Sequence, residues 1–216
     1  MSSTEPIAVI DFETTGMTPA QGARATEVAI VLLQDGRIVD RFQSLMRTGV
    51  HIPGFITQLT GITNAMVAGA PPAESVMRDA ARFVGGAQMV AHNASFDSKF
   101  WTAELAHADI QATQSFACTV LLSRRLYPEA RSHSLGNIID HLGLPRAGRA
   151  HRALADAEMA AFLLARIQRD LRERWRIQDA RHDLLCGLQK CARPAVSQWL
   201  GRRAALQAES PSSPGR

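Results

Sequence analysis

Cysteine is scarce in this chain, lysine is almost absent, and no apolar stretch runs long; each shortage removes a class of protein. Cys118, Cys186 and Cys191 are the only cysteines in 216 residues. An odd set with a single C-x4-C spacing supplies neither a disulfide framework nor the paired ligands of a structural zinc site, so reduced thiols are expected. No run approaches the roughly 20 apolar residues of a membrane-spanning helix, and the start MSSTEPIAVID has neither a basic cluster nor a signal-like apolar core. A soluble, cytoplasmic protein without membrane contact is the expectation. No G-x-x-x-x-G-K-[ST] string occurs, which excludes a Walker-type phosphate loop.

What is present is enough apolar material, 46% of residues, for a sizeable core. The chain divides into a domain over 1–175, a basic helical extension over 176–206 and a tail over 207–216 whose ESPSSPGR ending has a disordered composition. Charge follows the same division. Residues 166–203 hold ten Arg or Lys against four acids, whereas the rest is close to neutral. A basic helix of this kind suits a polyanion, a solvated face or a second copy, and basicity alone does not choose among them.

Read in order, Ile7–Asp11 is a short buried strand left by a turn at Thr14, Thr15 and Gly16. Strands follow over Glu27–Leu33 and Arg37–Leu45, joined at Asp35-Gly36, a strong hairpin signal. A helix over Ile56–Val67 is interrupted by TGIT, and another spans Ala73–Val84 between Pro71-Pro72 and Gly85-Gly86. Gln88–Ala91 reads as a buried strand, with a helix from Ser95, its expected N-cap, to His107. Ser115–Cys118 is a fifth strand, and helices follow near Thr119–Leu126, Leu135–Leu142, Leu154–Trp175, Gln178–Cys191 and Ala195–Leu206. This pattern predicts an α/β fold, a five-stranded mixed sheet flanked by helices, with a C-terminal helical extension.

The chemistry sits in VIDFETTGM (9–17). Side chains alternate along a strand, so Asp11 and Glu13 share one face while Phe12 takes the other. Two carboxylates at the end of a buried strand repel each other and lose hydration, a cost that a cation between them removes. Asp97 follows the fourth strand and Asp156 lies on the last long helix. Ligands collect at the carboxyl ends of parallel strands, so all four acids share one cleft if the first and fourth strands are neighbours. An all-oxygen set suits Mg²⁺ or Mn²⁺, and four carboxylates around two such ions serve in-line phosphoryl displacement. His151 offers a proton acceptor that works at neutral pH, and its i, i+5 spacing from Asp156 puts it on the loop entering the helix.

The strings DFETTGM (11–17), AHNASFDSKF (91–100) and HRALADAEMAA (151–161), with TGIT (60–63) and SLGNIIDHLGL (134–144), resemble the motifs of the DnaQ-like, DEDDh-type 3′-to-5′ exonucleases, in the family's order and spacing. The resemblance, strongest to the proofreading epsilon subunit of bacterial DNA polymerase III and its stand-alone relatives, covers Ile7–Arg169. It implies a ribonuclease H-like fold, Asp11, Glu13, Asp97 and Asp156 on two Mg²⁺ or Mn²⁺ ions, and His151 as general base. It further implies a single-stranded DNA or RNA 3′ end as substrate, held by Thr14, Thr15, Met17 and Phe96, with His92 and Asn93 shaping the adjoining turn. A DNA polymerase or a second copy is the protein partner it suggests.

Two rivals are weaker on residues. DFETT imitates the D-x-D-x-T nucleophile of haloacid-dehalogenase-like phosphatases, but those need a downstream lysine and an acidic pair. Lys99 and Lys190 are the only lysines, and no adjacent acidic pair follows Asp97. The alternatives that stay open are an RNA-trimming 3′-to-5′ exoribonuclease and, less favoured because it would have no use for four acids and a histidine at one site, a catalytically silent nucleic-acid-binding module.

Overall fold

The computed structural model describes residues 5–209. Its elements are β1 (Ile7–Thr14), β2 (Ala25–Gln34), β3 (Arg37–Leu45), α1 (Gly54–Thr60), α2 (Asn64–Ala68), α3 (Ala73–Val84), β4 (Gln88–Ala91), α4 (Ala94–His107), β5 (Phe116–Cys118), α5 (Thr119–Leu126), α6 (Leu135–His141), α7 (Ala153–Trp175), α8 (His182–Leu188) and α9 (Val196–Glu209). One mixed sheet results, in the order β3-β2-β1-β4-β5. The first three strands form an antiparallel meander, and β4 and β5 add parallel to β1.

Alternation along β1 and β2 gives the sheet two apolar faces. Val9, Ala29, Val31 and Val90 face α5, α6 and α7 on one side, while Ala8, Ile10, Phe12, Val28 and Met89 face α3 and α4 on the other. Both faces are covered, so the central strands read as near-continuous apolar runs. The β2–β3 turn takes left-handed backbone at Asp35 (φ 49°) and Gly36 (φ 77°), the geometry that matches strand twist in a two-residue hairpin. At the opposite end of β2 the register slips by one, pairing Glu13 with Glu27 but Thr14 with Ala25. That bulge lies beside the carboxylates.

Several boundaries differ from expectation. β1 runs on to Thr14, so the acids lie within the strand and the turn starts only after it. α4 begins at Ala94 with Asn93, not Ser95, in the N-cap position; Asn93 has φ 70° and its carbonyl accepts the Phe96 N–H at 2.8 Å. α9 continues through Glu209, so the start of the expected tail is helical, and residues 210–216 lie outside those described. The extension packs on the domain. Ile177, Leu184, Leu185, Leu188, Val196 and Leu200 are buried in the same cluster as α7. None of the described helices is long and apolar enough to cross a membrane.

Candidate active site

β1 and β4 are parallel neighbours, so their carboxyl ends open at one edge, where α4 and the first turn of α7 also converge. Asp97, in the first turn of α4, accepts the Phe12 N–H at 3.3 Å and is thereby tied to the strand between Asp11 and Glu13. Asp156, in the first turn of α7, accepts the His151 N–H at 3.2 Å. His151 lies on the loop before α7, as its spacing predicts, in left-handed backbone with φ 60°. A non-glycine residue seldom adopts this conformation, and such strain concentrates at functional sites. One donor atom each from Glu13, His151 and Asp156 lies within 4.8 Å of the others.

Burial and like charge both push these carboxyls toward protonation. Asp11 is raised well above the usual carboxylate range, by burial first and then by Asp97, Asp156 and Glu13. Burial, with Asp156 and Glu27 nearby, raises Glu13 to about 8, and burial raises Asp97 to about 8. Asp156 is raised by burial too, against its bond from His151. Arg152 offsets part of the effect at Glu13, but its guanidinium is forked onto Glu27. Four acids so placed are relieved by a divalent cation. Their donors, oxygens with one imidazole and no thiol, fit a hard ion of the Mg²⁺ or Mn²⁺ type.

Sequence reasoning missed Glu27. It stands directly across from Glu13 on β2, an arrangement that like charges disfavour. Glu27 is only 1% exposed, yet its carboxyl is held below the usual range. Burial would raise it, but the Arg152 fork (2.7 and 3.1 Å), the Ala153 N–H (3.0 Å) and Gln43 (2.7 Å) outweigh that. Glu27 thus caps α7 and anchors the residue after His151. Glu104 does the same for the loop returning from β1, taking an Arg24 fork at 2.9 Å and the Ala25 N–H at 2.8 Å. The available signal was a charge on the core-facing side of a strand, Glu27 alternating with Ala29, Val31 and Leu33.

The residues expected around the substrate divide. Thr14 donates its hydroxyl to the Gly16 carbonyl at 2.7 Å, and the Thr15 hydroxyl accepts the Arg24 N–H at 3.0 Å. Both side chains are buried in the turn they build, and that turn leaves Met17 77% exposed. Phe96 is half-buried, its ring 4.8 Å from that of Phe100. Asn93 is exposed and shapes the turn into α4. His92 spends both ring nitrogens on the fold, at 2.9 Å from the Thr119 hydroxyl and 3.1 Å from the His133 carbonyl. A carbonyl only accepts, so Nε2 carries the hydrogen and Nδ1 accepts from Thr119.

Burial, with the charges of His133 and Arg124, lowers His92 to about 4. The unfolded chain then binds the extra proton first. Stability from His92 is present above about pH 6.5 and is lost as pH falls through about 4, up to about 3 kcal/mol. In urea denaturation, the stability lead of wild type over His92→Asn should shrink between about pH 7.5 and 4.5. A constant lead would show that the imidazole is not held neutral.

The sequence profile of the RNase_T exonuclease family matches residues 8–164. The 3′-5′ exonuclease DinG of Bacillus subtilis is 37% identical over 166 residues, 76% of this chain and 18% of that protein. The DNA polymerase III subunit epsilon of Aquifex aeolicus is 33% identical over 174 residues, 79% of this chain and 84% of that subunit. The chain spans under a fifth of DinG and only 12% of the PolC-type DNA polymerase III of Clostridium perfringens. Among solved structures, exonuclease X in complex with 5′ overhanging duplex DNA superposes with a TM-score of 0.63 at 31% identity, covering 76% of this chain and 91% of that one. The nuclease domain of 3′hExo, 23% identical with a TM-score of 0.66 over 78% and 94% of the chains, shares the fold. With the acids of β1, α4 and α7 close enough to raise one another's pKa and His151 beside Glu13 and Asp156, the chain belongs to the RNase_T exonuclease family, as an exonuclease domain similar to the polymerase III epsilon subunit.

Proposed function

We propose that this protein removes nucleoside 5′-monophosphates one at a time from the 3′ end of single-stranded nucleic acid, with DNA the favoured substrate. The observation that carries the reading is the convergence of Asp11, Glu13, Asp97, Asp156 and His151 at the shared carboxyl edge of β1 and β4. The four acids would hold two Mg²⁺ or Mn²⁺ ions, which when bound acidify the attacking water and stabilise the leaving oxygen. His151, on its exposed loop beside Glu13 and Asp156, takes the proton from that water as it attacks phosphorus. The bond from phosphorus to the 3′ oxygen breaks, the departing oxygen takes a proton from solvent, and the shortened strand keeps a 3′ hydroxyl.

Met17 and Phe96 supply apolar contact to the terminal base or sugar, which grips any base without reading sequence. Thr14 and Thr15 present the turn that carries Met17, and His92 and Asn93 hold the other wall through hydrogen bonds and backbone shape. The kinship with DinG, polymerase III epsilon and a DNA-bound exonuclease X supports a role in DNA replication or repair, with a polymerase or a second copy as protein partner.

The test uses matched single-stranded DNA and RNA oligonucleotides labelled at the 5′ end. A ladder of 3′-shortened products with Mg²⁺, faster on DNA and abolished by EDTA, is expected. Faster shortening of RNA would reassign the substrate, and absence of any ladder from folded, metal-supplied protein would overturn the reading.

A further inference from the structure

A cluster of unneutralised cations stands beside the cleft. β5 ends one strand from β4 and two from β1, neighbouring strands being about 5 Å apart. His92, at the end of β4, bonds the His133 carbonyl, and His133 Nδ1 lies 3.0 Å from the Ser123 hydroxyl of α5. The next two residues are Arg124 and Arg125. From the extension, Gln189 lays its side-chain amide along the free edge of β5, accepting the Cys118 N–H at 2.6 Å and donating to the Phe116 carbonyl at 3.1 Å. That contact brings the segment ending in Arg193 against α5, where Arg125 donates to the Cys191 carbonyl at 2.9 Å and the Leu121 carbonyl at 2.8 Å.

Those acceptors are neutral, so the charge of Arg125 is not cancelled. Arg124 and Arg193 are exposed, and among the described residues none of the three arginines pairs with a carboxylate. Beyond the larger effect of burial, Arg193 and Arg124 both hold Arg125 below its ordinary value, and both do the same to His133, as nearby like charges must. Such a cluster attracts a polyanion, and its link through His133 to His92, just past the carboxyl end of β4, sets it at the edge of the sheet that carries the acids, which points to the strand bound there.

We propose that Arg124, Arg125 and Arg193 form a phosphate-binding surface for the strand upstream of the 3′ end, with the C-terminal extension contributing Arg193. This rests on the nuclease reading of the cleft and extends it to a surface partly outside the family match, which ends at residue 164. Phosphodiesters suit it because they present repeated single charges that guanidinium groups bind bidentately.

The test is equilibrium binding of a 5′-fluorescein oligothymidylate to the full chain in EDTA, followed by anisotropy over a range of salt. The double variant Arg124→Glu/Arg193→Glu should bind about tenfold more weakly, with a salt slope shallower by about 1.4, near 0.7 per lost phosphate contact. Arg169→Glu/Arg172→Glu is the control, an equal charge change beside the β2–β3 turn, at the far end of the sheet. It should keep the wild-type slope. Equal binding and slope in the first variant would overturn the proposal and leave the cations to an acidic protein partner. Equal weakening by both variants would overturn it as well, showing an effect of net charge. Thermal melts establish that each variant is folded. Cleavage of the same strand with Mg²⁺ is read separately, so a failure of the nuclease reading leaves the binding comparison intact.

Discussion

Replacing His151 with alanine is expected to lower kcat for a 5′-labelled oligonucleotide by 10²- to 10⁴-fold, about 3–5 kcal/mol in the barrier. Strand affinity measured without metal should stay close to wild type. The asymmetry follows from placement. The imidazole stands on a loop with φ 60°, held by the bond of its own backbone N–H to Asp156, with a ring nitrogen within 4.8 Å of a carboxylate oxygen of Glu13 and of Asp156. On the proposed mechanism the surrounding carboxylates hold cations, which leaves His151 to accept the proton from water. A drop in kcat with unchanged KM assigns it to the transition state. A loss of affinity equal to the loss of turnover would instead make it a binding group, and the proton would need another acceptor.

Glu27→Ala should destabilise the fold by about 2–3 kcal/mol, the cost of losing charge-assisted bonds and leaving a buried donor unsatisfied. The carboxylate is nearly inaccessible and satisfies the Arg152 guanidinium, the Ala153 N–H and the Gln43 amide at once. Its loss strands the buried Ala153 N–H at the start of α7, while the exposed Gln43 amide and the Arg152 guanidinium, 34% exposed, turn to water. Because Arg152 follows His151 and α7 carries Asp156, turnover should fall along with stability. Glu27→Gln, which keeps an acceptor for the Ala153 N–H but loses the charge, should fall between the two. Urea denaturation gives the stability, and kcat on the same oligonucleotide gives the second readout. A Glu27→Ala protein within about 1 kcal/mol of wild type would show that the Ala153 N–H finds another acceptor. The contribution also has a pH sign. The carboxyl lies below its unfolded value, so its stabilisation is present above about pH 4.5 and is lost as pH falls through the folded value.

Much of the fold was legible because its rules are local. Strand alternation put Asp11 and Glu13 on one face and Phe12 on the other, a consequence of covalent geometry that needs no partner. The prolines and glycines around Ala73–Val84 bounded that helix at its observed residues, and Asp35-Gly36 made the expected left-handed turn. Spacing alone placed His151 before α7, because i and i+5 cannot face each other on one helix.

The rest depended on which strands became neighbours and where buried polar groups found partners. Asp97 meets Asp11 only because β4 inserts beside β1, a pairing that sequence reasoning could pose as a condition but not establish. Glu27 and Arg152 lie 125 residues apart, and the two threonines spend their hydroxyls on neighbours that the turn itself creates. His92 and the extension are parts of the scaffold for the same reason, since a buried donor, acceptor or apolar side chain must be satisfied by whatever the folded chain brings to it. Residue type and period determined which groups could act and which way they point along an element. The tertiary structure decided which of them meet, because burial and hydrogen-bond satisfaction are settled between distant segments rather than along the chain.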